Sequence, residues 1–238
     1  MATIHFHPAG AWPSDYFQDF DDSSFRLRET GKSQMMFADK HGANVTISGT
    51  GFTYAHGDAT GGIITSATVE DADGNILFTV KHAHLSAADV SKEFDAEGKI
   101  ALFSVFQTNN DRLIGSKVND NFTGGAGNDV LYGNGGDDVI GGYKGTDTLY
   151  GGSGNDQFIY ADRDYDKEII ADFEDYGKRE DGHQDQISID TSLRHAMEIH
   201  QVGKDVVLDF GSGDEIVIEN FDKKDLGRED YHFFDYHG

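Results

Sequence analysis

The chain has no cysteine and only two prolines in 238 residues. No disulfide can staple it, and thiol pairing says nothing about its redox compartment. Positive charge is scarce: 19 Lys and Arg stand against 43 Asp and Glu, a formal net charge of −24. Such a surface repels phosphates and anionic headgroups, which argues against nucleic acid and membrane surfaces as partners, and it attracts cations. No apolar run approaches the roughly 18 residues that would mark a transmembrane segment. The opening MATIHFHPAGAWPSDYF has neither a basic segment nor a continuous apolar stretch, so it does not read as a conventional secretory signal peptide. Aromatic residues make up 12% of the chain, too many for an acidic tail disordered throughout.

Glycine, by contrast, is plentiful at 30 residues, and from Gly115 it is ordered. The chain can be written in nines: GSKVNDNFT, GGAGNDVLY, GNGGDDVIG, GYKGTDTLY, GGSGNDQFI. Place one is always glycine. Place six is Asp120, Asp129, Asp138, Asp147 and Asp156, and place eight is Phe122, Leu131, Ile140, Leu149 and Phe158. The first unit is degenerate, with Ser116 and Val118 where glycine is expected, as is common at the end of an array. A Gly/Asp linker has no reason to hold aspartate and a large apolar residue in fixed phase.

The unit reads as a loop followed by a minimal strand. Glycines at places one, two and four allow positive φ and a tight loop with inward carbonyl oxygens. Places seven to nine form the strand, with the eighth side chain in the core. Val139, at place seven, should face outward, and of the neighbours Asp137 and Asp138 only Asp138 should point at the ion. Two units, 18 residues, complete a coil. Loops i and i+2 then stack, pairing Asp120 with Asp138, Asp129 with Asp147, and Asp138 with Asp156. Carboxylates and carbonyls are hard oxygen donors suited to Ca²⁺, which takes six to eight of them, rather than to the smaller octahedral shell of Mg²⁺. The expected metal site residues are Gly124, Gly133, Gly142 and Gly151 at place one, Gly125 and Gly152 at place two, Gly127, Gly136, Gly145 and Gly154 at place four, and the five aspartates. About three or more Ca²⁺ ions follow. Without them the aspartates repel, and so small a core cannot offset backbone entropy of roughly 1–2 kcal/mol per residue. The section is therefore expected to fold only on binding calcium.

Elsewhere the chain reads as β structure. NVTISGTGFTY (44–54), GGIITSATVED (61–71) and NILFTVKHAHL (75–85) look like strands bounded by the turn segments HGDATGG and DADGN. SAADVSKEF (86–94) suggests a short helix, with Ser86 as N-cap and Asp89 three residues on. EIIADF, DQISID, DVVLDFG and DEIVIENF look like further short strands. The expected fold is all-β: an N-terminal β domain (1–110), a calcium-stabilised parallel β-roll (111–160) and a C-terminal β cap (161–238).

The repeats resemble the RTX, or haemolysin-type calcium-binding, family, and the resemblance spans about 112–238. After the last unit the family often has D-x-I-x-D-F and then D-x-I-x-hydrophobic. The counterparts here are EIIADF (168–173) and DQISI (185–189), with Glu168 where aspartate is usual. The resemblance thus implies a further calcium site at Glu168 and Asp172. It also implies export by type I secretion machinery through an uncleaved signal in the last tens of residues, hence a secreted, extracellular protein. Cytosolic calcium would leave weak sites empty and the chain threadable, and extracellular calcium would fold it.

Other constellations are less pointed. His5 and His7, and His82 and His84, would each place two imidazoles on one face of a strand, an arrangement that could bind zinc or copper but that lacks a third ligand and is ordinary for half-exposed strand histidines. DADGN lacks the spacing of an EF-hand loop and reads as a hairpin turn. Trp12, Tyr16 and Phe17 form an aromatic cluster that reads as core packing, with a carbohydrate platform as the alternative. No G-x-S-x-G, H-E-x-x-H or phosphate-binding loop is present. The expected function is a secreted calcium-binding protein whose N-terminal domain binds an extracellular polysaccharide or host surface. The alternatives are a secreted polysaccharide-acting enzyme with catalysis in residues 1–110, and a calcium-organised matrix component.

Overall fold

A computed structural model describes residues 2–6, 26–38, 41–55, 58–71, 73–88, 110–161, 166–174 and 184–235. The chain divides into two compact units, Met1–Arg112 and Leu113–Gly238. Most of the described residues are strand, joined by turns and loops with only short helical turns among them.

In the first unit the strands are β1 (Thr3–Phe6), β2 (Arg26–Thr30), β3 (Gln34–Ala38), β4 (Asn44–Ala55), β5 (Asp58–Glu70), β6 (Ile76–Lys81) and β7 (Leu85–Ser86). They lie in the order β1-β6-β5-β4-β3-β2, with β7 against β5, and all the pairings in this unit are antiparallel. Period-two alternation decides the faces. Val45, Ile47, Ala67, Val69, Phe78 and Val80 are buried. The opposite face carries Thr46, Thr68 and Thr79 in one cross-strand row and Ser48 and Ser66 in the next, all half-buried.

The DADGN segment is the hairpin turn between β5 and β6. The Asp71 carboxylate accepts the N–H groups of Asp73 and Asn75, and Gly74 takes φ 84°. One expectation is corrected. β6 ends at Lys81, and His82 turns left-handed at φ 57°. The Ala83 N–H reaches back to the Thr65 carbonyl before β7 re-pairs with β5. His82 and His84 thus flank buried Ala83 in a kink, not on a strand. Ala87 and Ala88 are helical, and the rest of the helix expected over 86–94 lies outside the described residues, as do His7 and the cluster Trp12, Tyr16, Phe17.

The second unit continues with β8 (Arg112–Ile114, which begins at the unit boundary), β9 (Asn121–Ala126), β10 (Val130–Gly135), β11 (Val139–Lys144), β12 (Thr146–Ser153), β13 (Gln157–Tyr160), β14 (Lys167–Ile170), β15 (Gln186–Asp190), β16 (Glu198–Val202), β17 (Asp205–Gly211), β18 (Asp214–Ile218) and β19 (Tyr231–Phe234). Successive strands from β8 to β15 alternate between two sheets. One runs β8-β10-β12-β14-β18-β17-β16 and the other β9-β11-β13-β15-β19. The repeat pairings are parallel and in the 18-residue register: Leu131 opposite Leu149, Phe122 opposite Ile140, Ile140 opposite Phe158. The five place-eight side chains are at most 2% exposed, while Val139 is half-buried and faces away from the core.

The coil outlives the repeat. Ile170 continues the Leu131–Leu149 row and Ile187 the Phe122–Ile140–Phe158 row, although neither lies in a nonapeptide. β18 and β19 add one further parallel strand to each sheet, and β17 and β16 close the first sheet antiparallel. Each coil buries its apolar residues against its neighbours alone, so stability accrues by stacking.

Candidate metal centre

The loops of the roll place the aspartates in two rows. In one, the N–H of Asp120 donates to Oδ1 of Asp138 at 2.7 Å, and the N–H of Asp138 donates to Oδ1 of Asp156 at 2.9 Å. In the other, the N–H of Asp129 donates to Oδ1 of Asp147 at 2.6 Å. One carboxylate oxygen of Asp138, Asp147 and Asp156 is thereby fixed by the coil before it. The Oδ2 atoms of all three are buried and have no hydrogen-bond partner in the protein. A buried acceptor left so is expensive, unless something positively charged occupies the space it faces.

The place-one glycines shape that space. A methyl group at Gly133 would collide with Oδ2 of Asp138 and the Gly151 carbonyl oxygen, and one at Gly124 would lie 2.6 Å from Oδ2 of Asp129 and 2.9 Å from the Gly142 oxygen. Here the reason for glycine differs from the expected one. Positive φ is found at place two, in Gly125, Asn134, Tyr143 and Gly152, and at place four, in Gly127, Gly136, Gly145 and Gly154. Place one does not need it. It needs the absence of a side chain, so that a carboxylate and a carbonyl of the next loop can meet there.

Electrostatics agree with the geometry. Burial pushes the Asp138 carboxyl up to about 8, with the charges of Asp156, Asp120 and Asp137 adding to the rise and the Asp120 N–H opposing it. Burial likewise lifts Asp147 to about 7 and Asp156 to about 6, and raises Asp120. These carboxylates resist ionisation until a cation joins them. Among the described residues no three acidic, imidazole or thiol side chains gather at one point. The converging donors are instead carboxylate oxygens and main-chain carbonyls, which suit a hard cation such as Ca²⁺.

Glu168 and Asp172 take separate places. Glu168 is fully inside the row of Asp129 and Asp147: it lies opposite Asp147 in register, and Oε1 accepts the Tyr143 N–H at 3.1 Å. Its Oε2 is buried without a hydrogen bond, and a methyl at Gly142 would touch both it and Oδ2 of Asp147. Burial, then the Asp147 charge, holds its carboxyl well above the usual range. Asp172 instead accepts the N–H groups of Gly151 and Gly152 at 2.9 and 3.1 Å.

Two further aspartates escape a reading in nines. Asp185 is 1% exposed, accepts the Asp156 N–H at 3.0 Å and the Glu174 N–H at 2.8 Å, and so adds a rung 29 residues on. Burial lifts it to about 8. Asp111 falls at place six of the nine that precede Gly115, with buried Leu113 at place eight. That nine, FQTNNDRLI, contains no glycine, so only its phase could have disclosed it. Beside the buried rows runs an exposed one at place five. The Asn119 side-chain oxygen accepts the Asp137 N–H, and Oδ1 of Asp137 accepts the Asn155 N–H. Asp137 is therefore a structural acceptor on the surface, while Asp138 faces inward.

Comparison with known proteins agrees with this architecture. Two overlapping stretches, residues 108–140 and 123–158, match the model of the RTX calcium-binding nonapeptide repeat in four copies. No curated protein matches the chain. The match begins ahead of Gly115, where Asp111 and Leu113 already keep the phase. This chain therefore carries RTX calcium-binding nonapeptide repeats, which bind several Ca²⁺ ions in a parallel β-roll.

Proposed function

We propose that the chain is a secreted protein that folds on calcium outside the cell and there presents its N-terminal β unit to an extracellular target. The observation that carries the proposal is the pair of aspartate rows, in which the inward Oδ2 atoms of Asp138, Asp147 and Asp156 accept no hydrogen bond from the protein. Asp120, Asp129, Asp138, Asp147 and Asp156 hold the ions, with the place-one carbonyls; Glu168 joins Asp147 and Asp172 joins the loop of Gly151 and Gly152. Calcium, when bound, supplies the charge that lets these buried carboxylates ionise. The division of labour follows residues 1–110 for target binding, 111–160 for calcium and 161–238 for closing the roll and carrying the type I secretion signal.

Polysaccharide is the target class that the first unit supports. Its half-buried rows of Thr46, Thr68 and Thr79, and of Ser48 and Ser66, offer flat, evenly spaced hydroxyls without charge, a surface that can exchange hydrogen bonds with sugar hydroxyls. A glycan array probed with the full chain in millimolar calcium tests this. Binding that is lost in a Thr46→Lys, Thr68→Lys variant supports it; an array with no binder contradicts it. For export, fusing residues 189–238 to a passenger in a cell with a type I system should carry the passenger out. Retention of the fusion would refute the placement of the signal.

A further inference from the structure

One asparagine in the roll stands at place two, where the units of Gly125 and Gly152 carry glycine. Place two takes positive φ, and Asn134 fills it at φ 75°. It is followed by Gly135, the single Asn-Gly dipeptide of the chain. Glycine leaves its own main-chain nitrogen sterically open, so this is the peptide bond at which an asparagine side chain is most easily attacked by the backbone. In the folded roll the asparagine side chain is held and the dipeptide is fixed within the sheet. Asn134 Nδ2 donates to the Gly115 carbonyl oxygen at 2.7 Å, and Asn134 and Gly135 lie in register against Gly152 and Ser153 of β12.

We propose that Asn134–Gly135 is a spontaneous deamidation site guarded by the calcium-folded state, so that the chain records time spent without calcium. The proposal rests on the calcium-folding reading above. The Gly135 nitrogen attacks Cγ of Asn134, a C–N bond forms, and ammonia leaves with the proton lost from that nitrogen. Water then opens the five-membered imide at either carbonyl, giving aspartate or isoaspartate. The sum is Asn plus water to Asp plus ammonia, with no oxidant or reductant.

Either product harms the loop. Aspartate replaces the donor that met the Gly115 oxygen with an acceptor. Isoaspartate lengthens the main chain by one atom next to Gly136, where even a methyl group would collide with the backbone of Val118 and Asn119. Deamidated chains should thus regain the roll only at higher calcium.

The test is parallel incubation of the full chain at pH 8 and 37 °C in calcium and in chelator, with peptide mass mapping and isoaspartate detection. The chelated sample should gain 1 Da at position 134 at least tenfold faster than the calcium-loaded one, and Asn134→Gly should gain none there while keeping its fold. Equal rates, or no gain at 134 in chelator, overturn the proposal. Circular dichroism of the same samples separates the two failures: equal rates with a calcium-dependent spectrum sink only the guarding of Asn134, and equal rates with unchanged spectra sink the calcium reading as well.

Discussion

Acid should do part of calcium's work. In the ion-free roll, burial holds Asp138 and Asp185 at about 8, Asp147 at about 7 and Asp156 at about 6, against an ordinary value of 3.8. Folded values above the unfolded ones mean that these groups leave stability intact below about pH 4. That stability is lost as pH rises through the folded values, because the unfolded chain sheds the protons first. Each pH unit spent in that window costs about 1.4 kcal/mol per carboxyl. Summed over the four groups at pH 7, the loss is on the order of 10 kcal/mol, as large as the whole stability of an ordinary domain, about 5–15 kcal/mol. The ion-free roll should therefore be unfolded near pH 7.5 and regain structure near pH 4.5. The stacked rings of Tyr132 and Tyr150, with centroids 4.7 Å apart and planes within 2°, contribute a near-ultraviolet dichroism signal from within the roll. That signal, followed against pH in calcium-stripped buffer, should rise on acidification. In millimolar calcium it should instead be full at pH 7.5 and stay so on acidification, as protons take over from the ion they displace. An ion-free signal that is the same at pH 4.5 and 7.5 would refute the reasoning.

Further outcomes follow from single residues. Gly133→Ala should lower the melting point of the calcium-loaded chain by an amount equivalent to about 2–4 kcal/mol, since its methyl collides with Asp138 and the Gly151 carbonyl. Gly211→Ala, left-handed but with open space around it, should lose about 1 kcal/mol; equal losses in the two would contradict the role given to place one. Asp185→Ala orphans two N–H groups, each worth about 1–3 kcal/mol, and should weaken calcium binding measured by calorimetry although it lies outside every nonapeptide. Ile140→Ala should destabilise by about 2–5 kcal/mol in chemical denaturation with calcium present, and Val139→Ala by much less.

The repeats were legible because glycine, aspartate and a large apolar residue recur in one phase, and phase is what an 18-residue coil imposes. The same coil continues where that chemistry lapses. Glu168 stands opposite Asp147 after 21 residues, and Asp185 bonds Asp156 after 29. Extra residues between coils destroy periodicity without disturbing the stack, so register could be seen only in the fold. β2, β3 and β16 carry no strong strand signature: RLRET, QMMFA and EIHQV mix charges and helix formers. β3 and β16 become strands by pairing with the longer β4 and β17, and β2 follows at the edge by pairing with β3. The role of place-one glycine was also hidden, because a close approach and a positive φ both ask for the same residue.

The most direct test of calcium-driven folding is hydrogen exchange of the full chain by mass spectrometry at pH 7.5, titrated with calcium. Protection should appear together across residues 113–160 and 184–234, with a midpoint in the roughly 10⁻⁴–10⁻³ M class of extracellular modules, and should be lost on chelation. Equal protection of these peptides with and without calcium would contradict it.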